Sequence, residues 1–102
     1  MSKYENESVD RLMRAISLID SPEECRMLFE DLCTIKEIQN MAMRLDTATL
    51  LSQGINYQEI SKRTGASTAT ITRVGRSYNY GKDGYKMILS RLDETEKLHE
   101  RQ

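Results

Sequence analysis

The residues with the most chemistry to offer lie close together. Ser67, Thr68, Ala69, Thr70, Thr72 and Arg73 stand in one short stretch, flanked by Gln58, Lys62, Arg63 and Arg76. Hydroxyls, small methyls and a guanidinium set among further cations suit hydrogen bonding to base edges and phosphates. On a helix, Thr68 and Ala69 can touch thymine methyls and Thr72 can bond a base or a phosphate. Arg73 suits either nucleic acid or a small ligand. Lys62, Arg63 and Arg76 suit phosphate neutralisation, and Gln58 belongs to the same candidate set.

Covalent chemistry has no comparable anchor. The one histidine, His99, lies in a polar tail and is read as solvated. Cys25 and Cys33 sit in helical patterns among apolar residues and read as small buried hydrophobes. No Cys–His or Ser–His–acid set can be assembled, and a metal site would want more ligands. The expectation is a protein that is not an enzyme and needs no cofactor or metal.

Charge supports a polyanion-facing segment. From Ile55 to Arg91 there are seven basic residues against Glu59 and Asp83, although the chain as a whole carries a net charge of only −1. An acidic body with one basic stretch points to a local surface rather than a broadly basic binder. No apolar run approaches the roughly 20 residues that span a bilayer, and the N-terminus lacks a signal-peptide core, so the chain is read as cytoplasmic with no membrane partner.

The elements that must position these residues follow from periodicity and caps. One proline and five glycines, four of them after Gly54, predict long helices first and shorter ones later. Val9, Leu12, Met13, Ile16 and Ile19 mark one face of a helix over about 6–19. Ser21-Pro22 with Glu24 opens a second helix, whose inner face is Cys25, Leu28, Phe29, Leu32 and Cys33. Thr34 with Glu37 opens a third, running to about Ser52, in which Met41 and Met43 read as packing residues; Gly54 stops it. Asn56 with Glu59 starts a two-turn helix ending at Thr64. Gly65 supplies a positive φ for a tight turn, and Ser67 caps the next helix from Thr68.

Ile60, Ala66, Ile71 and Val74 hold the internal positions of a helix-turn-helix over about 56–77, with Ser61 small at the crossing. That geometry leaves Thr68, Ala69, Thr70, Thr72 and Arg73 to project. Arg76 to Tyr85 reads as an aromatic, glycine-containing loop in which Tyr78, Tyr80 and Tyr85 pack on the core with their hydroxyls at the surface. Asp83 caps a last helix with the face Tyr85, Ile88, Leu89 and Leu92, and 93–102 reads as a fraying tail. The chain is one domain in length, and its apolar surface exceeds what one short chain covers, which predicts a second copy.

From Gly65 to Arg73, and more loosely from about Asp31 to Leu92, the sequence resembles the tryptophan repressor family, and within it the YerC/YecD-type branch. The repressor itself serves as a standard example of helix-turn-helix docking and water-mediated readout. The resemblance implies an all-α fold of about six helices, an intertwined homodimer, double-stranded DNA with two-fold symmetry as partner, and a transcription regulator acting as a repressor. It also implies an amino-acid-like effector. Arg44 and Arg73 match the two arginines that sandwich the effector ring, Thr34 the carboxylate-binding threonine, and Ser77 the amino-binding serine after the recognition helix. Val74 stands where the family repressor has glycine, and Asp31 and Cys33 where it has leucines, which argues against tryptophan itself.

Each of these has a plainer reading. Arg44 suits a surface or interface ion pair, Arg73 a phosphate contact, Thr34 a helix cap, and Ser77 a turn or cap. The alternative for the whole chain is a protein-interaction domain that keeps the fold without reading an operator.

Overall fold

The computed structural model describes residues 6–101, with side-chain surroundings through residue 98. The expectations for the His99 side chain and for the first five residues lie outside these. The described residues form six helices and no strand: α1 Glu7–Ser17, α2 Pro22–Leu32, α3 Ile35–Ser52, α4 Tyr57–Thr64, α5 Thr68–Tyr80 and α6 Gly84–Arg101. The fold is all-α. The chain divides into two compact units, one up to Ile38 and one from Gln39 onward.

In the first unit, side-chain caps define every helix start. The Asn6 carboxamide accepts from the Val9 N–H at 2.9 Å and opens α1. Ser21 accepts from the Glu24 N–H at 3.1 Å, and Pro22 needs no partner for the N–H it lacks. The Glu24 carboxylate reaches one residue further back than a standard capping box, to the Asp20 N–H at 2.9 Å.

Neither α1 nor α2 contains a buried residue. Leu32, expected on an inner face, is 52% exposed, and the two cysteines are free and only half-buried rather than buried. The apolar spacing along both helices was legible, but it marks a face that this unit alone does not cover.

Thr34 and Glu37 form the full reciprocal box at the start of α3. The Thr34 N–H donates to Glu37 Oε1 at 2.8 Å, and the Glu37 N–H donates to Thr34 Oγ1 at 3.1 Å. Hydrogen bonds from the Thr34 backbone first, and its side chain second, hold the exposed Glu37 carboxyl below the ordinary glutamate range. A carboxyl depressed on folding contributes stability above its unfolded value and loses it as pH falls through the folded one. Glu37→Gln should therefore flatten the acid limb of the melting temperature against pH, with wild type and variant converging as pH drops below the ordinary glutamate range. Parallel curves for the two proteins would count against the box.

The second unit holds the core. Ile60, Ala66 and Ile71 form its fully buried cluster, with Met43, Leu50, Leu51 and Ile55 packed around them. Thr47 and Ala48 of α3 and Val74 of α5 are buried as well. The Thr47 hydroxyl is satisfied by donating to the Met43 carbonyl at 2.8 Å, so its burial leaves no orphan donor. Helix α5 packs against both α4 and α6.

Three expectations in this unit need correction. Helix α5 does not stop near the motif but continues through Arg76, Ser77 and Tyr78 to Tyr80, so the supposed aromatic loop shrinks to the turn at 81–83. Gly81 closes the helix, and a Cβ there would overlap the Ser77 carbonyl oxygen. Asp83 precedes α6 with φ +64, in the left-handed region rather than the extended conformation of a side-chain cap.

Helix α6 also runs on to Arg101 through the stretch expected to fray. Its sequence there is rich in good helix formers. A Lys97–Asp93 pair at 3.1 Å and a Thr95 hydroxyl donating to the Arg91 carbonyl lie along this part of the helix.

Candidate nucleic-acid interface

The geometry of the candidate site begins at one residue. Gly65 has φ +77, a conformation that costs glycine little, and its N–H donates to the Ser61 carbonyl at 2.8 Å. Around this pivot the Ser61 hydroxyl donates to the Ala66 carbonyl at 2.8 Å. The Thr64 hydroxyl donates to the Ile60 carbonyl at 2.8 Å and accepts from the Ala66 N–H at 3.1 Å. The turn is thus tied by side chains on both sides. Ser67 then caps α5, its hydroxyl accepting from the Thr70 N–H at 3.2 Å and lying 3.1 Å from the Thr70 hydroxyl.

With Ile60, Ala66, Ile71 and Val74 turned inward, the opposite side of α5 is fixed by helical geometry. Ser67, Thr68, Ala69, Thr72, Arg73 and Arg76 are exposed. Thr70 is half-buried, being held by the Ser67 cap. On α4, Gln58, Lys62 and Arg63 are exposed. Asn56 caps α4 through the Glu59 N–H at 2.9 Å, but Glu59 does not return the bond as a full box would. Its carboxylate instead accepts from Arg63 Nε at 3.1 Å. This pair, half-exposed on both sides, is worth at most about 1 kcal/mol and sets the direction of the Arg63 side chain.

The candidate ligand residues are distributed differently. Thr34 belongs to the first unit, where it is the α3 cap. Arg44, Arg73 and Ser77 belong to the second and are all exposed. Neither guanidinium is ion-paired to another described residue. Ser77 lies inside α5 rather than just after it, so its turn or cap reading is withdrawn. It borders a recess of about 420 Å³ with Leu45, Tyr85 and Ile88, and Lys82 stands at the same recess. Val74, read as intruding on an aromatic slot, is 2% exposed, a buried side chain of α5.

One close approach escaped sequence reasoning. Gly75 is buried in α5, and a Cβ there would lie 3.4 Å from the Tyr57 hydroxyl and 3.7 Å from Leu51 Cδ1. The only signal was a glycine inside a helical pattern beside Val74, which marks tight packing as readily as a break.

Two short helices crossing about a left-handed glycine, with an apolar interior and a threonine- and arginine-bearing outer face, define a helix-turn-helix protein. The chain belongs to the Trp repressor protein family, which matches residues 7–93. At the level of the family this is a DNA-binding regulator. It is 48% identical over 96 residues to the Bacillus subtilis (strain 168) "Uncharacterized protein YerC", covering 94% of this chain and 92% of that one.

Two solved structures agree in fold. A crystal structure of a candidate Trp repressor from Staphylococcus aureus is 45% identical, with a TM-score of 0.85 over 89% of this chain and 91% of its own. A TrpR-like protein from Eubacterium eligens is 43% identical, also with a TM-score of 0.85, over 89% of this chain and 94% of its own. Among the described residues no helix is long and apolar enough to cross a membrane.

Proposed function

We propose that the chain is a non-enzymatic, sequence-specific regulator of transcription that binds double-stranded DNA in the cytoplasm as a homodimer and represses by occupying a two-fold symmetric operator. One observation carries the reading. Gly65 turns Ile60, Ala66, Ile71 and Val74 into the core and leaves Thr68, Ala69, Thr72 and Arg73 exposed on the first turns of α5. Those are the positions a recognition helix presents to base edges in a major groove.

The dimer rests on a separate observation. In the first unit Leu18, Ile35, Met27, Met13 and Leu32 are 81%, 74%, 68%, 55% and 52% exposed. Each such side chain is worth about 1.5–3 kcal/mol when fully buried, so a second copy that covers them gains a large driving force. Isologous pairing would then give the two recognition helices the symmetry of a palindromic site.

Mobility shifts over a salt series test DNA binding, with sedimentation for the dimer. Lys62, Arg63 and Arg76 from two protomers offer roughly six phosphate contacts, so affinity should fall about a thousandfold between ~50 and ~200 mM salt. No retention on any duplex, with a folded protein, would favour the protein-interaction reading instead.

An amino-acid-like effector is the second part of the reading. Arg44 and Arg73, without ion-pair partners among the described residues, and a recess bearing the Ser77 hydroxyl and Lys82 support it. Such a ligand would act by favouring one setting of the recognition helices. Calorimetry with the common amino acids tests this: heat from one of them that disappears in Arg44→Ala is the expected result, and no heat from any removes the effector.

A further inference from the structure

The exposed stripe of α5 does not end with the residues assigned above. Helical spacing carries it from Ala69 through Thr72, Arg73 and Arg76 to Tyr80, each exposed. Tyr80 is 86% exposed, against 43% for Tyr57, while Tyr78 and Tyr85 are half-buried. Tyr78 is further engaged, with Lys86 Nζ 5.4 Å from its ring centroid. The expected packing of Tyr80 on the core is therefore absent, and the side chain stands free at the end of the helix. Lys82, two residues on in the turn, is exposed and forms no ion pair with a described residue.

Lengths decide what this end can reach. At 1.5 Å per residue the 13 residues of α5 span about 20 Å, whereas a major groove is about 12 Å wide. A helix whose first turns lie in the groove leaves it after about eight residues, near Gly75. Arg76, Tyr80 and Lys82 then fall where the helix emerges beside the sugar–phosphate strand.

We infer that Tyr80 is a DNA-backbone contact. Its phenolic hydroxyl donates to a phosphate oxygen at the groove edge, and Arg76 and Lys82 neutralise the neighbouring charge. This rests on the DNA-binding reading and extends it to a residue that carries no charge and no base information.

The test uses the full-length protein and a random-sequence duplex of about 30 base pairs, because phosphate contacts dominate binding that is not sequence-specific. Tyr80→Phe removes only the hydroxyl. It should weaken binding about a hundredfold, about tenfold for the hydrogen bond to a charged acceptor lost in each protomer, and leave the slope of affinity against salt unchanged. Lys82→Ala should instead lower that slope by about two, one for each protomer of the dimer. Sedimentation of Tyr80→Phe should match wild type.

Equal affinity of Tyr80→Phe and wild type overturns the inference, and so does a weakened dimer with DNA affinity changed only in proportion. If wild type binds no duplex, the DNA reading fails and this inference fails with it. If wild type binds and only Tyr80→Phe is neutral, this inference alone fails.

Discussion

Replacing Thr68 and Thr72 together by alanine should leave the protein folded and dimeric but unable to tell its preferred duplex from random DNA. Both residues are exposed, on the first two turns of α5, and neither takes part in the hydrogen bonds that tie the turn. Removing them therefore costs the fold little, beyond a few tenths of a kcal/mol. Two positions in each of two protomers make four, at about 1–3 kcal/mol of discrimination each, so the preference over random sequence shrinks by about a thousandfold or more. Competition binding with specific and random duplexes measures this directly. A double variant with full preference would place sequence reading elsewhere.

The second large effect concerns the scaffold. Ile71 is 0% exposed at the centre of the cluster formed with Ile60 and Ala66, ringed by Met43, Leu50, Leu51 and Ile55. Ile71→Ala removes three carbons from a close-packed site that α3, α4 and α5 all border. The expected loss is about 2–5 kcal/mol, from lost burial plus the cavity left behind. In a unit of this size that lowers the melting temperature by roughly 10 °C or more. Because the same cluster sets the crossing of α4 and α5, specific DNA binding should fail at temperatures where wild type still binds. Melting within a degree or two of wild type would show that the core is not where the structure puts it.

Much of this architecture is written in local grammar. The caps at Ser21, Thr34, Asn56 and Ser67, the turn at Gly65 and the buried quartet Ile60, Ala66, Ile71 and Val74 each depend on residues within a few positions of one another. Short-range hydrogen bonds and the 3.6-residue period fix such features, and the sequence states both.

The errors arose where local signals are ambiguous or absent. Asn79-Tyr80-Gly81 looks like a loop because glycine and asparagine are turn residues, yet packing of α5 between α4 and α6 carries the helix on to Tyr80. Leu32 and the two cysteines have the right spacing for an inner face, but spacing does not say whether the same chain supplies the covering surface. The exposure of Leu18 and Ile35 follows the same logic. Gly75 was missed because close approach to Tyr57 and Leu51 depends on residues from two other helices.

Enrichment of sequences from a random duplex library by the full-length protein tests the central claim most directly. Two-fold symmetric half-sites centred about 10 base pairs or a multiple apart should emerge, and the Thr68/Thr72 double variant should lose them. A library that returns unenriched, with the protein folded and dimeric, would contradict the claim that α5 reads DNA.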